Sequence, residues 1–148
     1  MLQKRGLPLI AYSHYCCRMN KTILSIASVL GAIAVVLGAF GAHALKQFLT
    51  PEAMAIFETG IRYQFYHVFA LFIAAMVMDR ADNPIAIRRA SVCFVTGIVL
   101  FSGSLYLLAV LKAKEVIGLG AVGILTPIGG LFFIAGWLLL VAGFMGKK

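Results

Sequence analysis

The sequence predicts an all-α fold: a polytopic membrane protein built as a bundle of four transmembrane helices. Composition is the first observation behind this. Of 148 residues, 62% are hydrophobic and 12% charged, with a mean hydropathy of +1.00, whereas a soluble domain carries about 25% charged residues. One soluble core cannot absorb that apolar excess, so lipid is the solvent for much of the chain. The second observation is segmentation: four apolar runs of membrane-crossing length are separated by short polar stretches. The third is the placement of charge. The net charge is +8, yet the basic residues flank the apolar runs and do not gather on one soluble face. Such flanks serve orientation in a membrane, and they exclude nucleic acid as a partner.

Residues 1–18 form an N-terminal extension that contains Lys4, Arg5, Pro8 and Arg18 and no long apolar run. It is expected to be poorly ordered or interfacial, or to reflect a start assigned too early, because Met19-Asn20-Lys21 is itself a sensible opening. Residues 19–148 make the four-helix transmembrane domain.

Span one covers about 22–42 and is uncharged. A signal peptide cut at Ala42-His43-Ala44 is the competing reading, but signal-peptide apolar regions run only about 7–15 residues. Within the span, Ala27, Gly31, Ala34, Gly38 and Gly41 recur at steps of four and three. They fall on one stripe of a helix. Helices in lipid associate through close backbone contact, which a stripe of small residues permits. A pore-lining groove is the alternative use of that stripe.

The first loop is read as 47–60. Its Thr50-Pro51-Glu52 combines an N-cap, a first-turn proline and an acidic first turn. This predicts a short interfacial helix over 51–57 that merges into span two, about 61–78. Tyr63 and Tyr66 suit an aromatic belt at the headgroups, and Glu58 and Arg62 are spaced to pair on a helix. A polar loop at 79–84 and the Arg88-Arg89 pair precede span three, about 90–111. There Ser102, Gly103 and Ser104 favour close contact and hydrogen bonds between helices. Span four covers about 123–144. Thr126-Pro127 repeats the cap-and-proline signal, so the main helix is expected to start at Pro127, followed by Gly129 and Gly130. Residues 116–125 would then be a shorter packed segment; an earlier start with a proline kink is the alternative.

Lys and Arg counts set the orientation. Lys4, Arg5, Arg18, Lys21, Arg80, Arg88, Arg89, Lys147 and Lys148 lie on one side, and Lys46, Arg62, Lys112 and Lys114 on the other. The positive-inside rule places both termini in the cytoplasm. Without the extension the sign is the same.

Several motifs taken together resemble a known family. They are Gly38-Ala39-Phe40-Gly41-Ala42-His43-Ala44-Leu45-Lys46, then Thr59-Gly60 with Tyr63 to His67, then Phe101-Ser102-Gly103-Ser104-Leu105-Tyr106, then Thr126-Pro127 with Gly129-Gly130 and Gly136-Trp137. In that order they are similar to the small inner-membrane family catalogued as domain of unknown function four-two-three, whose animal members are called transmembrane protein two-five-six. The resemblance covers about Met19 to Phe144. It implies a four-helix integral membrane protein without an established biochemical role, and it transfers no catalytic residue.

The candidate chemistry is sparse. His43 ends span one and His67 opens span two, so both are expected at one membrane surface with Lys46, Glu58, Arg62, Tyr63, Gln64 and Tyr66. Ionisable residues near membrane depth are functional candidates. Three uses compete: a hydrogen-bonded cluster tying two helices; a pocket for a lipid headgroup, quinone or small anion with Arg62 and Lys46 as charged contacts; and a metal or haem site on the two histidines. Zinc would need further ligands. There is also a geometric conflict: a helix continuing through His43 would put that residue nearly opposite the small-residue stripe. Cys16, Cys17 and Cys93 show no paired spacing and read as free thiols, with lipidation or metal binding at Cys16-Cys17 the alternative. No nucleophile elbow, metalloprotease or phosphate-loop motif occurs. The chain is thus expected to be a non-enzymatic structural or accessory protein of the bacterial inner membrane. The alternatives are a small-molecule, lipid or ion binder or transporter, and a metal or haem redox protein. Expected partners are the lipid bilayer and either a second copy or another membrane protein. No cofactor and no metal is expected.

Overall fold

Asn20 opens the first helix: its side-chain oxygen accepts the Ile23 N–H at 3.1 Å, and α1 runs over Lys21–His43. The computed structural model describes residues 20–114 and 120–145. The extension with Cys16 and Cys17, the start of the 116–125 segment, and Lys147 with Lys148 lie outside the described residues.

A 3-10 turn at Leu45–Gln47 follows α1. Thr50 then caps α2, Pro51–Val77. Its hydroxyl oxygen accepts the Ala53 N–H at 3.3 Å. Pro51 sits where no donor is needed, and Glu52 faces the positive helix end. With the 3-10 turn Met78–Arg80 this forms one span. The loop expected at 47–60 is therefore much shorter. The helix is continuous from Pro51, and Ile61 lies about 15 Å along it at 1.5 Å per residue.

The third span starts by the same device. Asn83 accepts the Ala86 N–H at 3.1 Å, and α3 runs over Pro84–Gly97. Arg88 and Arg89 are therefore inside the helix and exposed, so the span begins ahead of the expected start at about 90. A π-helical stretch, Ile98–Ser102, leads into α4, Gly103–Ala113, within the same span. The last helix, α5, covers Gly120–Ala142.

Pro127 lies inside α5, which corrects the expectation of a helix start there. Hydrocarbon holds no water to satisfy the carbonyls that a break would expose, so the helix persists through the proline. Thr126 is not a cap; its hydroxyl bonds Ser104 Oγ at 2.7 Å. The Ser104 hydroxyl proton goes to the Phe101 carbonyl at 2.9 Å, so Thr126 is the donor of that pair.

All of the described elements are helical, and four segments are long and apolar enough to cross a membrane. α1 and α5 also turn large apolar side chains outward, Val36 and Phe40 on one and Leu131 and Leu138 on the other, as lipid solvent allows. The spans pack in chain order, α1 on α2, α2 on the third span, and the third span on α5. α1 and α2 are antiparallel: the Asn20 N–H donates to the Ala75 carbonyl at one end, and Gly41 lies beneath Phe57 at the other. Ala27, Ala34 and Gly41 are buried in this contact, Gly31 faces Val68, and Gly38 has open space beside it.

The α3–α5 contact is reciprocal. Phe94 of α3 fills the place of a side chain at Gly136, and Phe133 of α5 does the same at Gly97. A Cβ on Gly136 would lie 2.6 Å from the Phe94 ring. Gly129 brings α5 onto the π-helical backbone, where a Cβ would lie 2.8 Å from Phe101 Cα. Gly130 and Gly103 are roomier, and Pro127 is exposed. Phe94, Leu71, Ile87 and Val68 are the largest fully buried apolar side chains.

Candidate functional site

The register of α1 on α2 fixes where each polar residue lies. Gly31 faces Val68 and Gly41 faces Phe57. His43 is therefore level with the first turns of α2, while His67 is level with the middle of α1. The two histidines are about 18 Å apart along the bundle, at 1.5 Å per residue. They do not converge, so the single surface cluster and the paired-histidine site read from the sequence are not formed. The physical reason is the early start of α2, which carries Tyr63 to His67 to the middle of the span and away from the expected aromatic belt.

The eight sequence-predicted residues thus separate into three places. His43 and Lys46 are exposed at the end of α1 and the following turn; the helix does continue through His43, on the side away from buried Gly41. Glu58 and Arg62 are exposed and line a shallow cavity of about 310 Å³ beside Gly38 and Gly41. They do not pair with each other. The ion pair among the described residues is Lys112–Glu52 at 2.8 Å, which closes the third span onto the start of α2. Tyr63, Gln64, Tyr66 and His67 form the third group, at mid-depth.

Gln64 is 2% exposed and joins three spans. Its Nε2 donates to the Leu30 carbonyl of α1 at 2.7 Å, and its Oε1 accepts from the Tyr106 hydroxyl of α4 at 2.8 Å. Gly60 makes room for the Tyr106 ring, which a Cβ would approach to 2.7 Å. One turn further, His67 turns toward α5. Trp137 Nε1 donates to His67 Nε2 at 3.3 Å, and His67 Nδ1 lies 2.7 Å from the Tyr63 carbonyl. An indole N–H can only donate, so Nε2 is the acceptor and Nδ1 carries the proton, which it gives to Tyr63. The partners thus select the neutral Nδ1–H tautomer.

Aromatic rings surround this histidine. Phe133 stacks on it with centroids 3.4 Å apart and planes 6° from parallel. Phe94 lies at 5.7 Å and Trp137 meets it edge-on at 6.3 Å. Tyr63 packs on Phe101 of the π-helical stretch at 4.6 Å. The α2 and α5 backbones scarcely meet, and these rings fill the space between them. A groove of about 480 Å³ remains on the open side, lined by Tyr63, Tyr66, His67, Phe101, Phe133 and Trp137, with Gly130 and Ile134.

Tyr106, Thr126 and Trp137, which complete these contacts, were not singled out as partners in the sequence. Their signal was their presence in the family-like motifs, with Thr126 also read as a helix cap. Ser102 is fully buried and its Oγ has no partner. Among the described residues no three of His, Cys, Asp and Glu come together as a metal site would need. The mid-depth arrangement contains hydrogen-bond donors, acceptors and ring faces and no activated nucleophile.

Comparison with known proteins places these features in a wider group. A family model described as "Protein of unknown function (DUF423)" matches residues 37–130. The UPF0382 inner membrane protein YgdD of Escherichia coli K12 is 39% identical over 129 residues, 87% of this chain and 93% of its own length. The UPF0382 membrane protein YwdK of Bacillus subtilis is 35% identical over 121 residues, 82% of this chain and 94% of its own. A UPF0382 membrane protein of Haemophilus influenzae is 36% identical over 130 residues, 88% and 98%. No solved structure matches.

Proposed function

We propose, from the premise that this chain belongs to the DUF423 family of membrane proteins, that it is a non-enzymatic accessory protein of the bacterial inner membrane. One observation carries the reading. Three polar side chains at mid-depth are bonded to other spans: Gln64 to Leu30 and Tyr106, His67 to Trp137, and Ser104 to Thr126. Polar residues inside a transporter or a catalytic membrane protein face a water-filled path or a substrate. Here they tie helices together and leave the outward faces of α1 and α5 apolar.

On this reading the protein acts through those faces, against a second copy or another membrane protein. Both termini lie in the cytoplasm, as the placement of Lys21, Arg80, Arg88 and Arg89 at the Asn20 end supports. Photo-crosslinking side chains at Val36 and Leu138, 66% and 67% exposed, test the reading in intact cells at native expression. A discrete protein adduct from one of the two positions is expected. Lipid adducts alone at both positions would remove the accessory role.

A further inference from the structure

The groove beside His67 goes beyond an accessory role and does not depend on it. We infer that it is a binding site for a flat, hydrocarbon-soluble ring that carries carbonyl oxygens, the quinone class of compound. Three observations converge there. The first is size: about 480 Å³ lies within the roughly 300–1,000 Å³ of small-molecule sites.

The second is the lining. Tyr63 and Phe101 present neighbouring rings with centroids 4.6 Å apart, and the buried Phe133 backs Phe101 at 5.4 Å. A planar ring gains stacking from such walls that a flexible acyl chain does not. Gly130 leaves the floor open, since even an added Cβ would stay 3.9 Å from the Phe101 ring.

The third is hydrogen bonding. The Tyr63 and Tyr66 side chains line the groove, and their hydroxyls make no hydrogen bond within the protein. Tyr66 sits midway along Pro51–Arg80, the second span. A hydroxyl in hydrocarbon is costly without an acceptor. Phospholipid ester carbonyls lie at the interface, about 15 Å from the bilayer centre, and cannot serve Tyr66 there. A ring carbonyl dissolved in the hydrocarbon can. Each hydroxyl would donate to such an oxygen, while the histidine keeps its bonds to Tyr63 and Trp137.

The chain contains one tryptophan, Trp137, and it lines this groove. Its fluorescence therefore reports on the site without labelling. The full chain in lipid nanodiscs is titrated with a naphthoquinone bearing one isoprenoid unit. Saturable quenching is expected. Gly130→Leu, which fills the groove, should weaken the saturable part by at least about tenfold while Trp137 stays exposed to the same bilayer. Tyr66→Phe, an exposed position that leaves packing intact, should weaken it about three- to tenfold through one lost hydrogen bond; it keeps the test open if the leucine variant does not fold. Linear, collisional quenching that is equal in all three proteins would overturn the proposal. So would saturable quenching by a brominated fatty acid that competes with the naphthoquinone, because the groove would then be an acyl-chain slot.

Discussion

Gln64→Leu tests whether the mid-depth polar network holds the bundle together. The substitution conserves approximate volume and removes two interhelical bonds, 2.7 Å to the Leu30 carbonyl and 2.8 Å from the Tyr106 hydroxyl. Such bonds in membranes average about 0.6 kcal/mol and reach about 1.7. The Leu30 carbonyl lies inside α1 and keeps its helical partner, so losing Gln64 does not orphan it. The Tyr106 hydroxyl, by contrast, loses its acceptor, adding a penalty of about 1 kcal/mol. The sum is about 2–3 kcal/mol of lost stability for Gln64→Leu. Tyr106→Phe alone leaves the buried Gln64 Oε1 without a donor and should cost about 1.6–2.7 kcal/mol. The two share one bond, so a double-mutant cycle should show a coupling at least as large as that bond, because the double mutant strands neither partner. Unfolding in bicelles, followed by steric trapping, measures all four corners. Zero coupling, or a Gln64→Leu protein as stable as the parent, would refute the network as a source of stability.

Three further outcomes follow from the packing and the charges. Gly136→Ala would place a methyl carbon 2.6 Å from the Phe94 ring and should destabilise by about 1–3 kcal/mol. Phe94→Leu in the same chain should recover part of that loss in the same unfolding assay, and no recovery would place the clash elsewhere. Lys112→Ala should leave the unfolding midpoint unchanged, because the Lys112 and Glu52 side chains are 42% and 78% exposed and solvent screens such a pair; a clear drop would contradict this. In a background with Cys16, Cys17 and Cys93 all changed to serine, a cysteine at Gln47 should react with an impermeant maleimide on intact cells and one at Asp82 should not. The reverse pattern would invert the topology.

The four spans were legible because the signal is long: an apolar run of membrane length has few other uses. Local punctuation was less reliable, and the two Thr-Pro pairs show why. At Thr50-Pro51 the chain has just left the α1 turn, and the threonine caps a new helix. At Thr126-Pro127 the same dipeptide lies inside α5. The cap requires that the preceding backbone find other partners for its hydrogen bonds. Water supplies them at a membrane surface, and nothing supplies them in hydrocarbon. Ser104 then offers the Thr126 hydroxyl a better use. The dipeptide is identical; depth decides its meaning. Asn83-Pro84 makes the same point at the other surface, since it starts α3 ahead of the span start expected at about 90.

The mid-depth centre was least legible, because it depends on quantities that accumulate along the chain. Placing the start of span two ten residues late moves His67 about 15 Å along the bundle, from the middle of the membrane to its surface. There it would face His43 and Lys46. Its actual neighbours, Phe94, Phe133 and Trp137, come from helices 27 to 70 residues away in sequence. No local spacing encodes them. What local spacing does encode is the set of gaps that lets them meet: Gly97 beneath Phe133 and Gly136 beneath Phe94. A glycine and an aromatic residue exchanged between two helices draw the third span and α5 together. That contact presents Phe133 and Trp137 to α2, where His67 and the tyrosines receive them. The small residues of α1 set only one contact, with α2. The glycines of the third span and α5 set the geometry of the groove, so substitutions at Gly97 or Gly136 should disturb quinone binding as well as stability.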